Sequence, residues 1–227
     1  MKWRNLLFEG VCVSVLSCIV ICAHAMSSVV VSEVLWSGSD LSTADEWIEL
    51  AVVEAQSGST TVNVSGWYMT TRKSSGEEEI MLRFATGTVL YVGQRFLIGN
   101  YDAAHSRLDV EPDTVTTAVS LPNTKLLLRL YDASGSLIDT VDDGVGNPFA
   151  GRNASGTGAR ASMERISLTL PGSDPANWQT AQTFCGFDDG AALWGTPSYP
   201  NGTGPFTDIF PPLEAQDFDG SISGYHL

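Results

Sequence analysis

Beyond residue 25 the chain has no stretch of ten or more residues with apolar side chains at a helical period. Short β-branched or aromatic runs recur instead, each closed by a cluster of Gly, Ser, Asn, Asp or Pro. This alternation of run and turn leaves an all-β chain, and its spacing is that of a sandwich. The expected strands begin with Val29–Trp36 and with Trp47 continuing through Val53, then Val62–Met69, where Gly66 predicts a bulge or close backbone approach. Ile80–Phe84 follows, and Gly87–Gly99 reads as two strands parted by Val92-Gly93-Gln94. Lys125–Asp132 and Leu137–Val141 form the clearest hairpin, Ala161–Ile166 is a short extended run, and Trp178–Ala181 is the expected last strand. The fold expected is an antiparallel β-sandwich of seven to nine strands.

One of these strands, Asp45-Glu46-Trp47-Ile48-Glu49-Leu50, mixes acidic and apolar residues, and it is expected to bury one face. Side chains alternate across a strand, so Trp47 and Glu49 share one side while Glu46, Ile48 and Leu50 share the other. A carboxylate on each face calls for a sheet margin or a partner for at least one of them, and Arg165 or Arg129 is the expected ion partner of one. Because Glu46 and Glu49 point apart, they cannot act on one substrate as an acid/base pair.

The ends of the chain differ from its middle. Lys2 and Arg4, an apolar run from Val11 to Cys22 and Ala23-His24-Ala25 predict a secretory signal over residues 1–25. A retained anchor helix is the competing reading, but the apolar run is shorter than the ~20 residues that a spanning helix needs. The expectation is export to the cell envelope or beyond, with no transmembrane segment after cleavage. Residues 26–201 form the expected domain, and 202–227, rich in Pro, Gly and Asp, a flexible tail. Cleavage removes Cys12, Cys18 and Cys22, so the lone Cys185 can form no internal disulfide, and it reads as a small buried residue. The net charge of −14 repels polyanions, so no direct nucleic-acid binding is expected.

The candidate chemical sites are few. Glu77-Glu78-Glu79 reads as a solvated hairpin tip, and His105 with Asp102 sits in an expected surface loop, 100–117, with no second His or Cys at ligand spacing. Residues 144–161 read as a second, flexible loop. Asp217-Phe218-Asp219-Gly220 resembles the middle of a calcium loop, with Asp217 and Asp219 as metal candidates. The register, however, puts Ala215 and His226 where the first and twelfth ligands belong. A solvated tail is the expectation there, with no cofactor, and calcium is the competing reading.

In order, the chain carries Glu46-Trp47-Ile48-Glu49-Leu50, Val64-Ser65-Gly66-Trp67, Leu126 to Asp132, Ile138-Asp139-Thr140-Val141, Ser162-Met163-Glu164-Arg165, Asn177-Trp178 and Gly195-Thr196-Pro197 before Asn201. Over about Ser28 to Asn201 this succession resembles the lamin-tail domain. That domain is an immunoglobulin-like β-sandwich of nuclear lamins and, in bacteria, of secreted or surface proteins. The resemblance implies a structural signature made of Glu46, Trp47, Glu49, Gly66, Trp67, Asp139, Glu164, Arg165, Trp178, Pro197 and Asn201, with Trp47 as core anchor. Two positions depart from the family pattern: Ala51-Val52 replaces an Asn and prolongs the strand, and Ser198 replaces a Gly, tolerable where φ is negative.

The expected function is a non-catalytic extracellular or cell-surface module that binds protein or carbohydrate through loops 100–117 and 144–161. The alternative is an accessory subunit of a secreted nuclease or other hydrolase, a role that the resemblance suggests.

Overall fold

The computed structural model describes residues 29–73, 75–154 and 159–202. The expected signal, nearly all of the tail, and with it Asp217 and Asp219 lie outside the described residues. The described chain is nearly all β. Its strands are β1 (Val29–Leu35), β2 (Trp47–Val52), β3 (Thr61–Asn63), β4 (Tyr68–Arg72), β5 (Glu78–Arg83), β6 (Val89–Tyr91), β7 (Arg95–Gly99), β8 (Thr114–Val115), β9 (Leu128–Tyr131), β10 (Leu137–Val141), β11 (Arg160–Ala161), β12 (Met163–Arg165), β13 (Trp178–Thr180) and β14 (Leu193–Trp194). Ten of the fourteen form two principal sheets, β13-β12-β1-β2-β7-β8 and β10-β9-β4-β5, while β3 pairs with β6 and β11 with β14. No helix among the described residues is long and apolar enough to cross a membrane.

The two principal sheets pack face to face as a sandwich. Val31, Ile48, Leu50 and Ile98 from the larger sheet meet Met69, Leu128, Leu130 and Val141 from the smaller in one apolar cluster. A second, smaller cluster lies on the other face of the larger sheet, where Leu35, Trp47 and Leu97 are covered by Leu108, Phe187 and Leu193. The Trp47 strand is therefore buried on both faces, all six residues of it, and not on one as the alternation predicted.

Strand β1 explains how a sequence with odd spacings serves both clusters. Its pairing with β2 slips between Val31 and Glu33, where the register jumps from Val31↔Leu50 to Glu33↔Glu49. The slip is a bulge at Ser32, and it reverses the alternation. Val29 and Val31 face the main core before it and Val34 after it, while Glu33 and Leu35 turn to the other face.

Several expectations change locally. Val62–Met69 is two strands, β3 and β4, because Gly66 at φ 74° turns the chain between them and does not merely bulge it. The 100–117 segment is anchored to the sheet: Leu108 is buried, Asp113 Oδ2 accepts from Leu97 N at 2.8 Å, and β8 pairs parallel with β7. Nor is β13 the last strand, since β14 follows and pairs parallel with β11. The pair β9/β10 and the split of Gly87–Gly99 into β6 and β7 match the reading from sequence.

Candidate functional site

Three glutamates line up across the outer face of the larger sheet. Glu164 on β12, Glu33 on β1 and Glu49 on β2 are direct cross-strand neighbours, and all three are fully buried. Ionised carboxylates so placed repel one another and lack water, so the row needs donors. They come from the segment after β14 and from side chains on or beside the row's own strands. Thr196 gives its N–H to Glu33 Oε1 at 2.9 Å and its hydroxyl lies 2.8 Å from Glu33 Oε2; Ser198 N donates to Glu49 Oε2 at 2.7 Å. Ser162 Oγ donates to Glu33 Oε1 at 2.5 Å and Ser32 Oγ to Glu49 Oε1 at 2.6 Å. Gln179 Nε2 donates to Glu164 Oε2 at 3.1 Å.

Among the described residues one cation joins the row. Arg95 on β7 meets Glu49 Oε1 at 3.0 Å and also reaches Asn201 Oδ1 at 3.4 Å. Neither expected cation serves Glu46 or Glu49: Arg165 pairs with Asp139 and Arg129 with Glu78. Glu33 is left without a cation. Burial first, and then the charges of Glu49 and Glu164, push its pKa up to about 8, so it holds its proton at neutral pH. Burial also raises Glu49, against the pull of Arg95.

The row is a clasp for the chain that crosses it. Asn201 Nδ2 donates to the carbonyls of Ser32 at 2.8 Å and Arg165 at 2.9 Å, and Pro197 is buried. Gly195 passes so close that a Cβ there would lie 2.9 Å from Glu33 Oε1. Ser198 sits at φ 68°, in the left-handed region, which corrects the expectation that this position tolerates Ser because its φ is negative. With no exposed face, the three carboxylates meet no solute, and their chemistry is to accept hydrogen bonds.

The other signature residues divide between core and latch. Trp47 is 1% exposed, with its ring 6.4 Å from Phe187. Trp67 packs partly buried against the main cluster. Glu46 faces that cluster, where its Oε2 accepts from Leu121 N at 2.8 Å and burial lifts its pKa to about 8. Asp139 and Arg165 bridge the sheets: Arg165 Nη1 and Nη2 meet the two carboxylate oxygens at 2.6 and 3.2 Å, and Val31 N donates to Asp139 Oδ2 at 2.9 Å. Arg165 also lies over the Trp178 ring, and Trp178 Nε1 donates to Gly172 O at 2.8 Å. The spacing of strands reveals none of these pairings; the one local sign is a Ser beside each of two buried acids, Ser32-Glu33 in β1 and Ser162-Met163-Glu164 at β12.

The remaining sequence candidates are structural where they are described. Asp102 caps a short 3-10 turn, accepting from His105 N at 3.0 Å and lying 2.6 Å from its Nδ1. Glu78 and Glu79 belong to β5, not a solvated tip, and pair with Arg129 and Lys73. Cys185 is half-buried. Among the described residues no group of three or more His, Cys, Asp or Glu is arranged to hold a metal ion.

The accessible concave surface lies elsewhere. A cleft of about 600 Å³ opens where β13 and β14 meet the 144–161 segment, bordered by Thr180, Gln182, Trp194, Gly151 and Arg152. A second, of about 340 Å³, shares Gly151 and Arg152 and adds Asn123, Asn147 and Asn153. A third, of about 620 Å³, lies beside the edge strand β5. The expected flexible loop is held down at this place: Trp36 Nε1 donates to Ala150 O at 2.9 Å, Gly151 N to Thr180 Oγ1 at 3.0 Å, and Arg152 and Ala161 exchange backbone bonds of 2.8 and 3.0 Å. No family model matches the chain, and no curated protein matches it.

Proposed function

We propose that this chain is a non-catalytic binding module of lamin-tail, immunoglobulin-like type, exported by its N-terminal segment to the cell envelope or beyond. The observation that carries the reading is the contrast between its two polar regions. The buried acids Glu33, Glu49 and Glu164 are sealed under the 195–202 segment and spend oxygens on holding it. The open clefts, by contrast, are bordered by fixed backbone and by exposed Arg152, Gln182 and Trp194. A surface of fixed shape with an aromatic group and few polar groups is the usual form of a recognition site. The lamin-tail type draws its support from the resemblance and from the tertiary use of its signature residues. The bidentate Asp139–Arg165 pair, buried Trp47 and Asn201 between two strands all do structural work.

The test is capture from envelope material on immobilised protein, against a control with residues 147–153 scrambled. Retention of a component by the wild type alone supports the reading. Equal retention by both, or none by either, counts against it. The signal is tested by the size of the exported chain, which loses residues 1–25 if the reading holds.

A further inference from the structure

We propose that the two clefts flanking Gly151 and Arg152 form a single saccharide-binding groove, with the Trp194 indole as the platform for one sugar ring. The proposal rests on the binding-module reading and names its ligand class. The first observation is compositional. The chain holds 26 Asp and Glu, yet among the described residues neither cleft is lined by a carboxylate. What lines them is one guanidinium, Arg152, and the carboxamides of Gln182, Asn123, Asn147 and Asn153.

The second observation concerns which of these groups are free. Thr180 Oγ1 is spent on Gly151, and Arg152 Nε donates to Ala159 O at 2.7 Å. The four carboxamides, the Arg152 terminal nitrogens and the Trp194 indole N–H make no hydrogen bond among the described residues. The amide-bearing residues are all exposed, and Trp194 keeps 36% of its surface open. A carboxamide presents a donor and an acceptor side by side, the pattern that adjacent sugar hydroxyls complete, since each hydroxyl both donates and accepts. The indole supplies a flat apolar face for the C–H side of a pyranose, with its N–H at the polar rim. With a single cation and an acidic chain around it, the groove is poorly suited to a polyanion such as nucleic acid. The cleft volumes suit a few sugar rings.

The third observation is rigidity. Gly151 has φ 88°, and a Cβ there would lie 2.5 Å from Trp36 Nε1, so the wall between the two clefts can be built only with glycine. The hydrogen bonds of Ala150, Gly151 and Arg152 to Trp36, Thr180 and Ala161 hold that wall before any ligand arrives, which removes an ordering cost from binding.

The test titrates the full chain with three soluble neutral probes: cellohexaose, chitohexaose and mannohexaose. Heat and indole fluorescence are read up to about 5 mM, the concentration range of weak recognition. At least one probe is expected to bind. Trp194→Ala is expected to weaken it more than ten-fold, and the double variant Arg152→Ala/Gln182→Ala several-fold, at an unchanged melting temperature. The double variant alters only exposed side chains, so it keeps the test decisive if Trp194→Ala fails to fold. No binding of any probe, or binding that both variants leave intact, overturns the proposal. If no probe binds but the wild type, and not its variants, captures a protein from envelope material, the saccharide proposal falls and the binding-module reading stands. If wild type and variants capture nothing at all, both fall.

Discussion

Replacing Arg165 with Met removes the cation that ties the two sheets together, and the structure sets the scale of the loss. Arg165 is 2% exposed and donates to both oxygens of Asp139, to Val31 O at 3.0 Å and to Leu170 O at 2.6 Å. Met fills a similar volume, so little of the effect is cavity. What remains is a carboxylate whose pKa burial already raises, now without its counter-charge, and two carbonyls short of a donor. Breaking a buried pair on one side costs about 3–5 kcal/mol. For a domain of this size about 1 kcal/mol moves the melting temperature by roughly 2–4 °C, so the variant should melt about 6–20 °C lower. Urea denaturation gives the free energy directly. The double variant Asp139→Asn/Arg165→Met removes both charges and should lose less than the two single variants summed. A loss below about 1 kcal/mol for Arg165→Met, or strict additivity in the cycle, would refute the latch.

Three further outcomes follow from the same packing. Glu33 and Glu46 hold their protons to about pH 8 when folded, against an ordinary value of 4.5. Their contribution to stability is therefore fully present below pH 4.5 and lost as pH rises through about 8, at up to about 1.4 kcal/mol per pH unit per group. Calorimetry should find a higher melting temperature at pH 5.5 than at pH 8.5, and the reverse order would contradict the buried row. Ser198→Gly should stabilise by about 1 kcal/mol, because the residue at φ 68° is in a region that costs an L side chain about that much; a destabilised variant in urea would say that the Ser198 hydroxyl matters more than its backbone. Gly151→Ala should cost about 2 kcal/mol or more, since its Cβ would strike the Trp36 indole in a region of φ unsuited to alanine. An unchanged melting curve would show that the cleft wall is softer than described.

How much of this is legible in the sequence varies with the range of the contact. The β9/β10 hairpin and the β6/β7 split are local, written in Asp132 to Gly135 and in Gly93 with its positive φ. The clasp is not local. Glu33 reaches its place only because Ser32 bulges, a one-residue slip that leaves no mark in the apolar pattern of Val29 to Leu35. Strict alternation would put Glu33 on the same face as Val31, in the main core. Arg95 became the partner of Glu49 because β7 pairs with β2, a pairing across 46 positions that spacing cannot foresee. The parallel pairs β7/β8 and β11/β14 are likewise set by the return of distant segments. Trp194 carried no signal at all, since a lone Trp reads as core, and only its 36% exposure beside Arg152 and Gln182 sets it apart.

The buried acids serve the fold, and the groove beside Arg152 is the proposed binding surface. One comparison tests that division most directly: retention of envelope material by wild type, by Trp194→Ala and by Glu33→Gln, each shown to be folded by its melting curve. Glu33 is protonated at neutral pH and shut away from solvent, so the amide should keep wild-type retention, while Trp194→Ala should lose most of it. Loss on Glu33→Gln with full retention on Trp194→Ala would contradict the account and return the function to the carboxylate row.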